Sequence, residues 1–259
     1  MRNAFVKVAF LTMLSPAIVV FAQHHPASAR DLFLGVMEEL GSSSLKDASL
    51  SGTVELTEGS THERGQFTAK TADNGFSHIQ LELPTVSRTE TRKNTAGGLV
   101  GSWTDAKGTQ YSMAQHNLLL GHAWFLPQIE LIKLLHDGQS TFSYIGSESK
   151  YGQSLEHFTV TLGIIPNVSG RHASSRTVPH LEVYLDPRSL RPAILAYTIH
   201  PDDNGNIDIP VEIRYSNYVE ANHVWMPSHI ERYINFSLEM VLSTQTSEFN
   251  TRFPEALAQ

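Results

Sequence analysis

Apolar and polar residues alternate one for one along most of this chain, the two-residue period of strands with one buried and one wet face. Val54 and Leu56 alternate with Thr53, Glu55 and Thr57, and Phe67 and Ala69 with Gln66, Thr68 and Lys70. Beyond the turn residues Asp73, Asn74 and Gly75, the residues Ile79, Leu81 and Leu83 alternate with His78, Gln80 and Glu82. Further runs are Phe158-Val160-Leu162, Leu181-Val183-Leu185, Leu195-Tyr197-Ile199 and Ile209-Val211-Ile213-Tyr215. The last run puts Ile230, Ile234, Phe236, Leu238, Met240 and Leu242 on one face. In VEIRYSNYVEANHVWMPSHIERYINF, residues 211–236, two such segments meet across a short turn, with Trp225, Met226 and Pro227 just beyond it. Turn clusters such as Pro201-Asp202-Asp203-Asn204-Gly205-Asn206 separate the strands, with no repeating helix between them. That pattern excludes a parallel α/β sheet and predicts an antiparallel meander.

Two helices are expected. Residues 28–40 form the first: Ser28 followed three residues later by Asp31 matches a capping box, and Gly41 supplies the stop. The second begins at Pro127 and ends at Gly138 around QIELIKLLHD. Ile129, Leu131, Ile132, Leu134 and Leu135 cover more than half of its circumference, leaving Glu130, Lys133 and Asp137 as a narrow polar wedge. A surface helix has a narrower apolar stripe, so this one is expected to be covered on two sides, as a plug in a curved sheet. Trp124-Phe125-Leu126 adds apolar bulk at its start.

With 41% hydrophobic and 17% charged residues in 259, the composition is that of a globular protein rather than a disordered one. Arg2 and Lys7 precede an apolar run from Val8 to Phe21 that is too short to span a bilayer, which reads as a cleaved signal peptide. Small-residue cleavage sites end at Ala22 and at Ala29; the expected division is a signal peptide at 1–22 and one domain at 23–259. The chain has no cysteine, which suits a bacterial periplasm better than an animal extracellular fluid and rules out a lipid anchor on an N-terminal cysteine. A formal net charge of −7, near −9 without Arg2 and Lys7, argues against nucleic acid and against anionic lipid surfaces as partners.

Chemistry-bearing motifs are sparse. The 13 histidines include no H-E-x-x-H; His116 and His122, like His223 and His229, stand six apart, a spacing that suits no common zinc site. There is no G-x-S-x-G elbow and no phosphate loop, and the Asp202–Asn206 cluster lacks the glutamate and helices of an EF-hand. No catalytic residue, metal or cofactor is therefore expected, and the chain reads as a non-enzyme. Arg232 is out of place between Ile230 and Ile234: the strand bulges there or reaches the sheet margin, or the guanidinium meets a ligand headgroup or ties down a helix.

The signal segment, the short N-terminal helix and the first strand Gly52-Thr53-Val54-Glu55-Leu56 together resemble the outer-membrane lipoprotein carrier (LolA/LolB-like) superfamily. The likeness continues through Val183-Tyr184-Leu185-Asp186-Pro187, Ile213-Arg214-Tyr215-Ser216-Asn217-Tyr218 and Met226-Pro227-Ser228-His229-Ile230. The resemblance implies a mainly β (α+β) fold, an incomplete antiparallel β-barrel whose few helices plug the concave side, with acyl chains held in the cavity. Carriers of this kind engage the lid with an arginine near the early strands; Arg64 stands there by location alone, and the role is not carried over to it.

The expected function is a monomeric periplasmic carrier for lipoprotein acyl chains or another apolar lipid, exchanging cargo with membrane-bound donor and acceptor proteins. Its expected ligand-binding residues are Trp124, Phe125, Ile129, Ile132 and Leu135 from the plug, with Phe67, Ile79, Leu81, Trp103, Val183, Ile213 and Phe236 from the wall. Simple core packing is the competing role for each. Two other classes remain: an envelope-assembly module with a filled core, and a periplasmic hydrolase.

Overall fold

The computed structural model describes residues 28–163 and 179–254; the expected signal peptide lies outside them. Helix α1 (Ala29–Glu39) starts at the capping box, with Ser28 and Asp31 each accepting from the other's backbone N–H. Ser42 N–H donates to Met37 O (3.0 Å) and Gly41 N–H to Glu38 O (2.9 Å), a Schellman stop with Gly41 at φ 67°.

The strands follow as β1 (Asp47–Glu58), β2 (Thr61–Ala72), β3 (Ser77–Glu82), β4 (Ser87–Thr95), β5 (Gly98–Thr104) and β6 (Gln110–Ser112). Helix α2 (Pro127–His136) separates them from β7 (Thr141–Lys150), β8 (Gln153–Thr161), β9 (His180–Leu185), β10 (Pro192–Ile199), β11 (Ile209–Ala221), β12 (Val224–Ile234) and β13 (Ser237–Phe249). They form one antiparallel sheet in the order β6-β5-β4-β3-β2-β1-β13-β12-β11-β10-β9-β8-β7. Every neighbour is a hairpin partner except at β1–β13, where the two meanders join. The ends β6 and β7 do not pair, so the sheet is an open half-barrel rather than a closed one.

The segment 211–236 is the β11–β12 hairpin. Its turn is Asn222-His223, both in the left-handed region as tight hairpins require. This tip docks on the end of α1: Trp225 N–H donates to Leu40 O (3.0 Å), and the His223 carbonyl sits where a Cβ on Gly41 would be.

The final apolar run is two strands, not one. Asn235 and Phe236 form the β12–β13 turn, both at positive φ. A bulge follows, because Arg232 pairs with Met240 while Tyr233 pairs with Leu238, leaving Glu239 as the extra residue. The extra residue reverses the phase of the strand. Met240 and Leu242 face the core, whereas Leu238 is exposed and Phe236, 86% exposed, lies at the turn. The expectation that Phe236 and Leu238 share the inner face is corrected by that turn and bulge.

On the concave side, α2 is buried almost all round, as its apolar circumference predicted. Glu130 departs from the polar wedge expected of it and is buried too. It accepts Gly121 N–H (2.9 Å) and Ala123 N–H (3.1 Å) and pairs with buried His122. Burial pushes the His122 imidazole toward its neutral form. Burial would raise Glu130, but His122 and the surrounding donors outweigh it and hold the carboxyl well below its usual range. Tyr215 Oη donates to Trp124 O (2.7 Å) and the Gln128 amide to Trp225 O, which tie the plug to β11 and β12. From α1, Phe33 packs on Phe142 and Phe158 with ring centroids 5.1 and 4.9 Å away.

Candidate functional site

The plug fills only part of the concave face. Between the inner rows of β1, β3, β4 and β5 and those of β12 and β13, a cleft of about 630 Å³ remains open. Its apolar surface includes Leu56, Ile79, Leu81, Trp103, Trp124 and Met240. The volume is within the usual range for small-molecule sites, roughly 300–1,000 Å³.

Charge enters from a strand whose pattern is inverted. Ile79 and Leu81 face inward on β3, and their register partners on β4 are Glu90 and Arg88. The inner row of β4 is thus Arg88, Glu90 and Arg92, while Thr89 and Thr91 take the alternate positions. Across the cleft stand Arg232 and the bulge residue Glu239. Arg232 donates to Glu239 through Nε (2.5 Å) and Nη2 (3.1 Å), and reaches Glu90 through Nη1 (3.4 Å). Its guanidinium lies 4.5 Å from the centre of the Trp124 ring. Glu90 also pairs with Arg92 (3.3 Å), which donates to Leu120 O (2.7 Å). Burial alone would lower Arg232, but Glu239 and Glu90 more than offset it and hold the guanidinium charged. The chain of pairs spans the concave face from β12 to β4, above the apolar surface of β1 and β3. Arg88 pairs outward to Glu58 (2.9 Å).

The mouth is framed by Asp202. It accepts Trp103 Nε1–H (3.1 Å), Ala114 N–H (2.9 Å) and the Asn117 amide (3.1 Å), while Asn117 also donates to His200 O (2.7 Å). Burial would raise the Asp202 carboxyl, but these donors outweigh it and lower it. The β10–β11 turn is therefore fastened to the β5–β6 margin.

Four of the expected binding residues, Ile79, Leu81, Trp103 and Trp124, come together in this cleft. Phe67, Phe125, Ile129, Ile132, Leu135, Val183 and Ile213 belong to the buried core, which also includes Ile79, Leu81 and Trp124, but do not line the cleft. Phe236 is exposed on the turn and lines an outer groove with Tyr233 and Arg214. Arg232 both faces the cleft and adjoins a bulge. Arg64 is exposed and pairs with Glu55 (3.2 Å); the arginine that touches the plug segment from an early strand is Arg92. Sequence reasoning missed Arg88, Glu90, Arg92 and Glu239. The alternation in Ser87-Arg88-Thr89-Glu90-Thr91-Arg92 was the available signal, hidden because no apolar residue marks the strand.

Among the described residues, no group of three or more His, Cys, Asp or Glu is placed to hold a metal ion. No described helix is long and apolar enough to cross a membrane.

An open antiparallel half-barrel, plugged by one helix and cleft on its concave side, defines the structural class. This is the fold of the LolA superfamily. A LolA superfamily protein from Nitrosomonas europaea aligns with a TM-score of 0.54 at 10% identity, over 87% of this chain and 97% of that one. A DUF1329 family protein from Desulfovibrio piger aligns with a TM-score of 0.52 at 8% identity, over 87% of this chain and 93% of that one. At these identities the likeness is one of fold. No protein-family model and no curated protein matches the sequence.

Proposed function

We propose that this protein is a non-enzymatic periplasmic carrier that binds acyl chains, of a lipoprotein or of another lipid, in the concave cleft. The observation that carries the reading is the cleft itself: about 630 Å³ floored by Leu56, Ile79, Leu81 and Met240 beside a core that is otherwise packed. Burying methylenes there contributes roughly 0.8 kcal/mol each, so about ten give ~8 kcal/mol before the cost of association. The fold shared with a LolA superfamily protein supports the reading.

Export fits the same reading. Arg2, Lys7 and the apolar run from Val8 to Phe21 would direct secretion. Ser28 caps α1, so cleavage after Ala22 keeps the cap and cleavage after Ala29 removes it. The mature chain is then residues 23–259, acting as a monomer between membrane-bound donor and acceptor proteins.

The test is native mass spectrometry with lipid extraction, on protein isolated from its own periplasm without detergent. Near-stoichiometric lipid or acylated protein supports a carrier. A clean apo mass, together with no uptake of a fluorescent fatty acid, would overturn the carrier and leave a scaffold of the same fold.

A further inference from the structure

The cleft lies between two unequal walls. One is the end of the sheet, the arm β4–β6, which hangs on β3 by its ladder. Among the described residues, Arg92 is the only buried one from Pro84 to Asn117, and no side chain of β4–β6 belongs to an apolar core. The facing wall, β10–β13, gives Tyr197, Val211, Ile230, Met240 and Leu242 to the core. The plug is fixed as firmly, since α2 is buried almost all round and its segment is tied to β11 and β12. A segment with little buried apolar surface opens locally at lower cost than the core beside it. Of the elements around the cleft, the arm is therefore the one able to move.

The arm is held across the cleft at two places. On β4, Glu90 meets Arg232 (3.4 Å). At the mouth, Asp202 on the β10–β11 turn accepts from Trp103 on β5 and from Ala114 and Asn117 just beyond β6. Asn117 fastens the same turn again, donating to His200 O (2.7 Å) and accepting His200 N–H (2.9 Å). Trp103, Asn117 and Asp202 line the cleft, so these bonds join its two walls. Asp202 is exposed, and when the arm lifts its bonds are replaced by bonds to water.

We propose that the β4–β6 arm is the flap by which an acyl chain enters and leaves the cleft, and that Asp202 is its clasp. This deepens the carrier reading and rests on it. Lifting the arm widens the cleft from one side and uncovers Leu56, Ile79 and Leu81 while α2 stays seated. The clasp is made with the cleft empty or filled, so it sets the rate of opening and leaves the affinity nearly unchanged.

The experiment uses the delipidated full chain and two readouts. Hydrogen exchange without ligand follows residues 98–112 of the arm against residues 127–136 of the plug. Stopped-flow mixing with a fluorescent fatty acid gives the association and dissociation rates. Asp202→Ala should speed exchange in 98–112 by about tenfold and leave 127–136 as in the wild type. Both ligand rates should rise by a similar factor, with Kd changed by less than about threefold. Asp202→Asn, which keeps an acceptor oxygen, should fall between the two. Unchanged exchange in 98–112 of the alanine variant would overturn the clasp. Faster exchange with unchanged ligand rates would overturn the arm as the route. A faster dissociation alone would make Asp202 a binding group and overturn its role as a gate. A wild type that takes up no fatty acid would remove the carrier reading and the flap with it, while the exchange comparison would still report whether Asp202 holds the arm closed.

Discussion

Replacing Arg232 by methionine isolates the charge bridge across the cleft. The change keeps an unbranched apolar stem beside Trp124 and removes the guanidinium that links Glu239 to Glu90. The three side chains are 14, 28 and 19% exposed for Arg232, Glu239 and Glu90, so the pairs are neither dry nor fully solvated. Breaking a buried pair costs roughly 3–5 kcal/mol and losing an exposed one roughly 0–1. An intermediate loss of about 2 kcal/mol is expected, or roughly 4–8 °C in Tm for a chain of this size. Most of it comes from Glu239, which is left without its guanidinium, whereas Glu90 keeps Arg92. Replacing Glu239 by leucine as well removes the stranded carboxylate, so the double variant should recover about half of the loss or more. Urea unfolding of the wild type, both single variants and the double variant gives the coupling energy directly. A coupling below about 0.3 kcal/mol would refute the claim that the bridge is a partly desolvated network.

Other consequences separate the packed side of the concave face from the open side. Ile129→Ala should destabilise by about 2–5 kcal/mol and leave fatty-acid uptake unchanged, because Ile129 is wholly buried in the plug; loss of uptake at unchanged stability would place the ligand there instead. Gly41→Ala should destabilise by more than about 1 kcal/mol, since it places a Cβ at positive φ against the His223 carbonyl; circular dichroism melting that matches the wild type would contradict the docked hairpin tip. Both His122 and Glu130 have lowered folded-state values, so both contribute stability that is lost as pH falls. For His122 the loss begins as pH drops below the ordinary histidine range. His122→Phe should flatten the urea-midpoint profile between about pH 6.5 and 4.5, and an unchanged slope there would remove His122 as its source.

Local patterns determined much of this protein. The capping box at Ser28, the stop at Gly41, Pro127 and Gly138 around α2, and the two-residue period of β1–β3 and β8–β12 depend on residues near one another in the chain. The family resemblance also rests on such local runs, and it led to the open half-barrel. What the tertiary structure alone decided is which of the buried apolar residues also line the cleft. Phe67, Val183 and Ile213 have the same alternation as Ile79 and Leu81, yet of these five only Ile79 and Leu81 line the cleft. Burial depends on what a distant segment covers, and periodicity carries no record of that. The charged row of β4 shows the complementary limit. Arg88, Glu90 and Arg92 look like a solvated stretch until the curvature of the sheet brings Arg232 and Glu239 opposite them, where charges from distant strands neutralise one another. The single extra residue Glu239 moves Leu238 outward, because a strand's phase depends on its pairing register.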